Sequence, residues 1–399
     1  MLPLLAAEAT VWLGFGALLP ILSIYFTQHG VDLPLLGVVV AAWPAARIVS
    51  EPAFGWLADR VSRRAMMVAG LLLGAVFAVA PLFVTGPVAF IAVRLLAGAA
   101  AAMYDPAARG YLVDANPADR RGEAFGLYSA AQMGGFMLGP AVGGVAAAVS
   151  GQPQIVFWVA GIAHVLSAVA VMRIADLHHD PGAEPVEPVN AADAAAEAGA
   201  GLPARPATLA NRLLVAAVVL NIGAFFAGGC YEVVWSIYMT SLGAGVGLIG
   251  LSFFSFSLPV LLLSAFTGRY TDRNGGFLAM VLGLAGVGAC GALYVAIPSP
   301  WYVIAIGVVE GVAFAFASPA LYLLVSRAAP PGRSSTAQGI FGAAGTVGTI
   351  VASVASGILA DIDLRLPYIV VCVGILLVLG LGLAIGGRRL YDAMQPARA

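Results

Sequence analysis

A few charged side chains interrupt the long apolar runs of this sequence, and they are the residues best able to do chemistry. Arg94, Glu232 and Glu310 each stand alone within an apolar stretch. A carboxyl group in such surroundings can bind and release a proton near neutral pH, or attract a cation. Arginine keeps its proton in proteins, so Arg94 can act only on a neighbouring acid. We predict a site for protons or a charged ligand. The structural alternative is an arginine that caps carbonyl groups and acids that are neutral hydrogen-bond partners.

Other charges have simpler interpretations. Arg47 and Glu51 are four residues apart, which places them on one face of a helix. We expect a structural ion pair, with a role in coupling as the alternative. Glu8 and Asp105 stand near the ends of apolar runs, where we expect a gate or an interface. His164 could titrate, but a packed histidine is the simpler hypothesis.

No arrangement typical of an enzyme accompanies these charges. The sequence has no phosphate-binding P-loop, no H-E-x-x-H metal motif and no plausible pair of nucleophile and base. We therefore expect no enzymatic activity, no cofactor, no metal site and no binding of nucleic acid.

The elements that carry these charges must lie in a lipid bilayer. Of the 399 residues, 61% are hydrophobic and 10% are charged, and the mean hydropathy is +0.96. A membrane-spanning helix needs about 20 mostly apolar residues, and twelve segments meet that measure. They are 5–27, 34–58, 65–85, 87–108, 123–149, 154–175, 211–240, 246–268, 277–297, 301–326, 337–360 and 366–387. The sequence predicts an all-α membrane protein with twelve transmembrane helices.

Arginine predicts the orientation of these helices. All nineteen basic residues are arginines, and cytoplasmic loops are enriched in basic residues. With the N-terminus in the cytoplasm, sixteen arginines fall on the cytoplasmic side, two are embedded, and only Arg365 lies outside. We expect a multi-pass protein of the cell membrane with both termini in the cytoplasm.

Residues 176–210 break the apolar pattern, because they are rich in Ala, Pro, Gly and acidic residues. This composition is typical of a disordered linker. We expect a cytoplasmic linker that joins a six-helix bundle over 1–175 to a second bundle over 211–399, which ends in a short tail. His178 and His179 lie in it and are more simply a solvated pair than a metal site.

The two halves form a repeat with a constant offset of 213 residues. This offset aligns a G-x-x-x-D-R motif at position 55 with a second copy at position 268. It also aligns Gly98 with Gly311 and Pro106 with Pro319. We therefore expect two parallel six-helix repeats, related by an axis along the membrane normal.

The segment "GWLADRVSRR" at 55–64 resembles the signature loop of the major facilitator superfamily, which reads roughly G-x-L-A-D-R-x-G-R-R. Ser62 replaces the second glycine of that pattern. The resemblance implies a transporter in which helices 1, 4, 7 and 10 line a central cavity, so that Arg94, Glu232 and Glu310 would face it. It also implies that the loop is a latch. We assign to this cytoplasmic gate Gly55, Asp59, Arg60, Arg64, Asp114, Gly268, Asp272 and Arg273.

The segment "GLYSAAQMGGFMLGPAVGG" at 126–144 resembles the signature of the family's drug:proton antiporters. The matching residues are Gly126, Gly135, Gly139, Pro140, Gly143 and Gly144. Small residues permit close approach of helices, and proline permits a bend. Ordinary helix packing is the alternative interpretation.

The antiporter resemblance implies a proton-coupled exporter of small, lipophilic compounds. Its partners would be the lipid bilayer, a small-molecule substrate and protons, and we expect a monomer. An importer or facilitator of a small metabolite, and a receptor that transports nothing, remain alternatives. Aromatic residues of the seventh and tenth spans predict a cavity for such a compound, or simple packing. They are Phe225, Phe226, Tyr231, Trp235, Tyr238, Phe314 and Phe316.

Overall fold

The computed structural model describes residues 1–58, 60–116, 121–175, 208–330 and 334–395. Across these ranges the chain forms twelve long helices and one short 3-10 turn, and none of the described residues is in a strand. The helices are α1 (Leu2–Gln28), α2 (Leu33–Ala58), α3 (Arg63–Val79), α4 (Pro87–Ala115), α5 (Arg121–Ser150), α6 (Ile155–Val171), α7 (Arg212–Ser241), α8 (Val246–Asn274), α9 (Phe277–Tyr294), α10 (Pro300–Ala328), α11 (Ser334–Ile362) and α12 (Leu366–Ala393). The 3-10 turn Ala80–Phe83 extends α3.

Eleven of the helices in the described part of the chain are long and apolar enough to cross a membrane. The exception is α6, whose 17 residues lie at the short end of the range for a spanning helix. We predicted a span over 154–175, but residues 172–174 leave the helix in a turn and a bend. The predicted linker 176–210, with His178 and His179, lies outside the described residues except for 208–210.

The helices pack as two compact units. The first contains the described residues of Met1–Ala183 together with Glu232–Phe254 and Ser353–Leu364. The second contains the described residues of Glu184–Tyr231, Ser255–Ala352 and Arg365–Ala399.

The first unit has a core of aliphatic and aromatic side chains from α1, α3, α4 and α6. Leu4, Met67 and Leu71 are almost completely buried there. Glycine allows the backbones to approach: a Cβ atom on Gly14 of α1 would lie 2.7 Å from the Cβ of Ala163 on α6. The prolines inside α1, α2, α4 and α5 are compatible with these helices, because neighbouring groups can satisfy the carbonyls that proline leaves free.

The second unit ends in a short helical segment that folds back on its neighbours. Gly387 interrupts α12 with a φ of 53°, which glycine adopts readily. Beyond it, Leu390 and Met394 are fully buried. The Met394 carbonyl accepts a hydrogen bond of 2.9 Å from the backbone N–H of Gly276. The end of α12 is thereby fixed to the loop between α8 and α9.

Candidate functional site

The first unit contains a cavity between α1, α2, α3, α4 and α6. Its wall is mainly apolar and includes Trp12 and Phe15 of α1 and Trp43 of α2. The ring centroids of Trp12 and Phe15 are 5.4 Å apart, and those of Phe15 and Trp43 are 4.8 Å apart. A continuous aromatic surface of this kind is suited to a flat, lipophilic molecule.

Two arginines of the cavity lie beside Trp43. The Cζ atom of Arg47 lies 4.8 Å from the Trp43 ring centroid, and that of Arg94 lies 5.9 Å from it. Asp105 and His164 line the same cavity. One ring nitrogen of His164 is engaged by its own helix, because Nδ1 lies 2.8 Å from the Ala160 carbonyl oxygen.

Arg94 and Glu232, which we predicted at one site, form an ion pair in the first unit. Nη2 of Arg94 lies 3.5 Å from Oε1 of Glu232 and donates a hydrogen bond of 3.3 Å to the Val40 carbonyl. Among the described residues, Nε of Arg94 and Oε1 of Glu232 are buried without a hydrogen-bond partner. Charge-assisted hydrogen bonds are usually 2.7–2.9 Å long. At 3.5 Å this pair is therefore looser than a usual charge-assisted hydrogen bond.

Glu310 belongs to the second unit, where it is buried within a group of tyrosines. The Tyr294 hydroxyl of α9 donates a hydrogen bond to its Oε2. The Tyr231 and Tyr368 rings stack with centroids 5.6 Å apart, and Tyr231 meets Tyr294 edge-on. The carboxyl group is held by a neighbouring helix, which is the arrangement of our structural alternative.

Arg47 and Glu51 form the ion pair expected from their spacing. Nε and Nη2 of Arg47 donate to Oε1 of Glu51 at 2.9 and 2.6 Å. The sequence did not reveal a second partner, Asp105 of α4, which also accepts a hydrogen bond from Nη2. Asp105 is 3% exposed. The arginine thus links α2 to α4 and does not pair only within its own helix.

Removing Arg47 should destabilise the protein more than removing Glu51. The Arg47→Leu change leaves Asp105 buried without its cation, and breaking a buried pair in this way costs about 3 kcal/mol. Glu51 is partly exposed, so Glu51→Gln should cost at most about 1 kcal/mol. Thermal unfolding of the purified protein in detergent measures both changes. Equal losses of stability would contradict a buried role for the Arg47–Asp105 pair.

The two glycines assigned to the gate do not bring helices together. A Cβ atom on Gly55 would lie 3.7 Å from the Pro106 Cβ, which is an ordinary contact, and one on Gly268 would have nothing within 4 Å among the described residues. Neither glycine is therefore needed for a close approach of helices among the described residues. The spacing of a motif in the sequence does not tell which of its glycines lies at a contact.

The arginines of the gate loop have different partners. Arg60 is exposed and lies over the Trp56 ring at 3.6 Å. Arg64 donates to the Met172 carbonyl at the end of α6. Arg63, which we had not assigned to the gate, forms an ion pair of 3.0 Å with Asp114. In the sequence, the only signal for a role of Arg63 was its position in the loop motif.

The side chains of two acidic gate residues are not among those that the structure describes. Asp59 lies outside the described residues. Asp272 is within α8, and its side chain is also outside them. Arg273 is exposed in the last turn of α8.

The glycines of the 126–144 motif form a close seam between α5 and α1. A Cβ atom on Gly139 would lie 2.5 Å from the Leu13 carbonyl oxygen and 2.7 Å from the Ala17 nitrogen. Gly135 and Gly143 have equally close backbone neighbours on α1. Gly144 instead faces Gly250 of α8, whose Cα would be 3.0 Å from an added Cβ. Gly126 and Pro140 lie in the same helix, α5.

The aromatic residues of α7 are largely packed. Trp235 and Tyr238 are buried, and Nε1 of Trp235 donates a hydrogen bond of 2.8 Å to the Ser252 hydroxyl. The aromatic surface of the described cavity comes instead from Trp12, Phe15 and Trp43. A spacing of three residues, which places Trp12 and Phe15 on one face of α1, was the available signal in the sequence.

Comparison with known proteins finds relatives that match part of the chain and a relative that matches nearly all of it. The quinolone resistance protein NorA of Staphylococcus aureus (strain MRSA252) is 32% identical over 175 residues, which is 43% of this chain and 43% of NorA. The match thus spans less than half the length of that relative. An MFS-type transporter of Methanocaldococcus jannaschii is 24% identical over 356 residues, covering 88% of this chain and 89% of the relative.

Solved structures share the fold over nearly the full length. A bacterial homolog of the human lysosomal transporter Spinster has a TM-score of 0.75 at 14% identity, with 99% of this chain and 98% of that chain covered. A D-xylose-proton symporter has a TM-score of 0.72 at 18% identity, with 95% and 96% covered.

A family model decides the assignment. The model of the Major Facilitator Superfamily matches residues 4–231 and again 217–390, so that both halves of the repeat are included. Together with the apolar helices, this match identifies the chain as a multi-pass membrane transporter that belongs to the Major Facilitator Superfamily.

Proposed function

We propose that this transporter exports small, lipophilic compounds in exchange for protons by alternating access. The observation that carries the proposal is the glycine seam of α5, whose Gly135, Gly139 and Gly143 lie against the α1 backbone. These positions are those of the antiporter signature. The partial similarity to NorA, a quinolone resistance protein, supports the same direction of transport.

The loose pair of Arg94 and Glu232 provides a mechanism for coupling. When Glu232 is ionised, it attracts Arg94 across the 3.5 Å that separates them. A proton on Glu232 removes that attraction and releases the arginine. A ligand shifts a conformational equilibrium only by its different affinity for the two states. A proton bound more tightly in one state would meet this requirement. Glu310, hydrogen-bonded to Tyr294, is the second candidate carrier.

The aromatic cavity of the first unit is the proposed contact surface for the substrate. Trp12, Phe15 and Trp43 offer flat apolar faces, and Arg94 joins this surface to the proposed proton site. A bound compound and a proton can then influence each other through Arg94.

The proposed setting is the cell membrane, with both termini in the cytoplasm and the protein working as a monomer. Its partners are the lipid bilayer, the transported compound and protons. The loop before α3, together with the ion pair of Arg63 and Asp114 of α4, is then the cytoplasmic latch.

Transport of ethidium, a fluorescent lipophilic cation, into inverted membrane vesicles tests the proposal. We expect uptake that is driven by a pH gradient, acid inside, and that stops when nigericin collapses the gradient. Vesicles without the protein are the control. Uptake that is unchanged after the collapse would contradict proton coupling.

The first copy of the latch should matter more than the second. In the repeat, Gly276 stands where Arg63 does, so the second copy has no counterpart of the Arg63–Asp114 pair. We expect Asp59→Asn to slow transport about tenfold, which is about 1.4 kcal/mol, and Asp272→Asn to slow it less. Initial rates of ethidium uptake at equal protein levels measure the difference. Equal or reversed losses would refute this asymmetry.

A further inference from the structure

Glu8 of α1 is a fully buried acid that the proposed cycle does not use. It lies six residues after Leu2, or about 9 Å along the helix. The Tyr104 hydroxyl of α4 donates to its Oε2 over 2.8 Å, and the Gln132 amide of α5 donates to its Oε1 over 2.9 Å. The carboxyl group therefore occupies a built polar site where α1, α4 and α5 meet within the first unit.

The charges around Glu8 do not balance. Asp105, the residue after Tyr104, shares Arg47 with Glu51, so one arginine serves two carboxylates. Glu8 has no cation within ion-pair distance among the described residues, and the Asp105 carboxylate repels a charge on it. Arg109 offers some compensation, but from an exposed position. In surroundings of low dielectric, uptake of one proton relieves this excess of negative charge.

Among the described residues, α3, α5 and α6 add no further charge beside the acid. From α5, Tyr128 faces Glu8 together with Gln132. From α3, the apolar Met67 and Leu71 belong to the same buried core as Leu4 and Ala7 of α1. From α6, Ser167 donates to the Ala7 carbonyl and not to the carboxyl group.

Access to Glu8 runs through Tyr104. This tyrosine lines the aromatic cavity, as do Asp105 and His164, and its hydroxyl binds Glu8. A proton that reaches the Tyr104 hydroxyl can therefore be passed to the acid through this one hydrogen bond. Once Glu8 is protonated, Gln132 can turn its amide oxygen to accept the new O–H, because an amide is both donor and acceptor.

We propose that Glu8 binds and releases a proton exchanged with the cavity, and that it forms a proton site of the first unit in addition to Glu232. Its role in transport rests on the proposed function, since a proton bound here contributes only if transport is coupled to protons. The binding of the proton to Glu8 is independent of that assumption.

Infrared difference spectra of the full-length protein in liposomes, recorded between acidic and alkaline pH, test the site directly. Protonated carboxyl groups have a C=O stretch that is separate from that of carboxylates. We expect Glu8→Gln to remove one titrating band. Tyr104→Phe, which keeps the ring and removes only the donor, should shift the frequency of the same band. Ser167→Ala, which changes a hydrogen bond of α1 away from the carboxyl group, should leave the band unchanged.

A spectrum that is the same in wild type and Glu8→Gln would overturn the proposal, as would a band that Tyr104→Phe does not shift. Uptake of ethidium by the same liposomes separates this result from the proposed function. If wild-type uptake does not depend on the pH gradient while the Glu8 band titrates, proton coupling is refuted and the Glu8 site is supported. If uptake is coupled and the band is missing, only the Glu8 site fails.

Discussion

Replacing Gly139 by alanine should slow transport at least about tenfold and lower the stability of the protein by about 1–3 kcal/mol. The new methyl group would lie 2.5 Å from the Leu13 carbonyl oxygen and 2.6 Å from the Gly16 Cα. All of its nearest neighbours are backbone atoms, so no side chain can turn away. The α5 and α1 helices must separate, and the seam that carries the antiporter assignment is disrupted.

Gly134 provides a matched control on the same helix. A Cβ atom there would have no described atom within 4 Å, so Gly134→Ala should leave transport unchanged and stability within about 0.5 kcal/mol. Ethidium uptake and thermal unfolding of both variants give the comparison. If Gly139→Ala transports as well as Gly134→Ala, close packing of this seam is not needed for function.

Replacing Glu232 or Glu310 by glutamine should reduce gradient-driven transport at least about tenfold. Glutamine keeps the shape of the side chain but cannot take up a proton near neutral pH. In Glu310→Gln the amide oxygen can still accept from Tyr294, so the fold should be preserved. In Glu232→Gln, Arg94 loses its charged partner permanently.

Exchange of substrate across the membrane without a pH gradient distinguishes loss of coupling from loss of transport. We expect both variants to retain this exchange, because it needs no net movement of protons. Glu51→Gln, which alters a partly exposed acid, is the control and should keep coupled uptake. Normal gradient-driven uptake in both Glu232→Gln and Glu310→Gln would show that the proton sites are assigned wrongly.

The fold could be predicted largely from apolar length and from the repeat. The bilayer fixes how many apolar residues a helix needs, so eleven of the spans could be found in the sequence. The end of α6 could not be predicted in this way. Some of the residues 172–175 are as apolar as the helix before them, and the turn there depends on local contacts. The short helical segment after Gly387 was missed because its anchor, the Gly276 backbone, is distant in the sequence.

Contacts of the candidate site could be predicted only where the two residues are close in the sequence or belong to a sequence motif. A spacing of four residues predicted the pairing of Arg47 with Glu51, but Asp105 comes from another helix and left no signal. For the same reason the sequence did not reveal Tyr104 and Gln132 as the partners of Glu8, for which we expected only a gate or an interface. Partners brought together by helix packing are visible only in three dimensions.

The most direct test of the central claim is the direction of proton movement when the substrate moves. Purified protein would be reconstituted in liposomes that contain a pH-sensitive dye, with equal pH on both sides and an ethidium gradient across the membrane. An antiporter predicts that protons move opposite to ethidium, and that Glu232→Gln and Glu310→Gln lose this movement. Protons that accompany ethidium, or ethidium flux without proton movement, would contradict proton-coupled export.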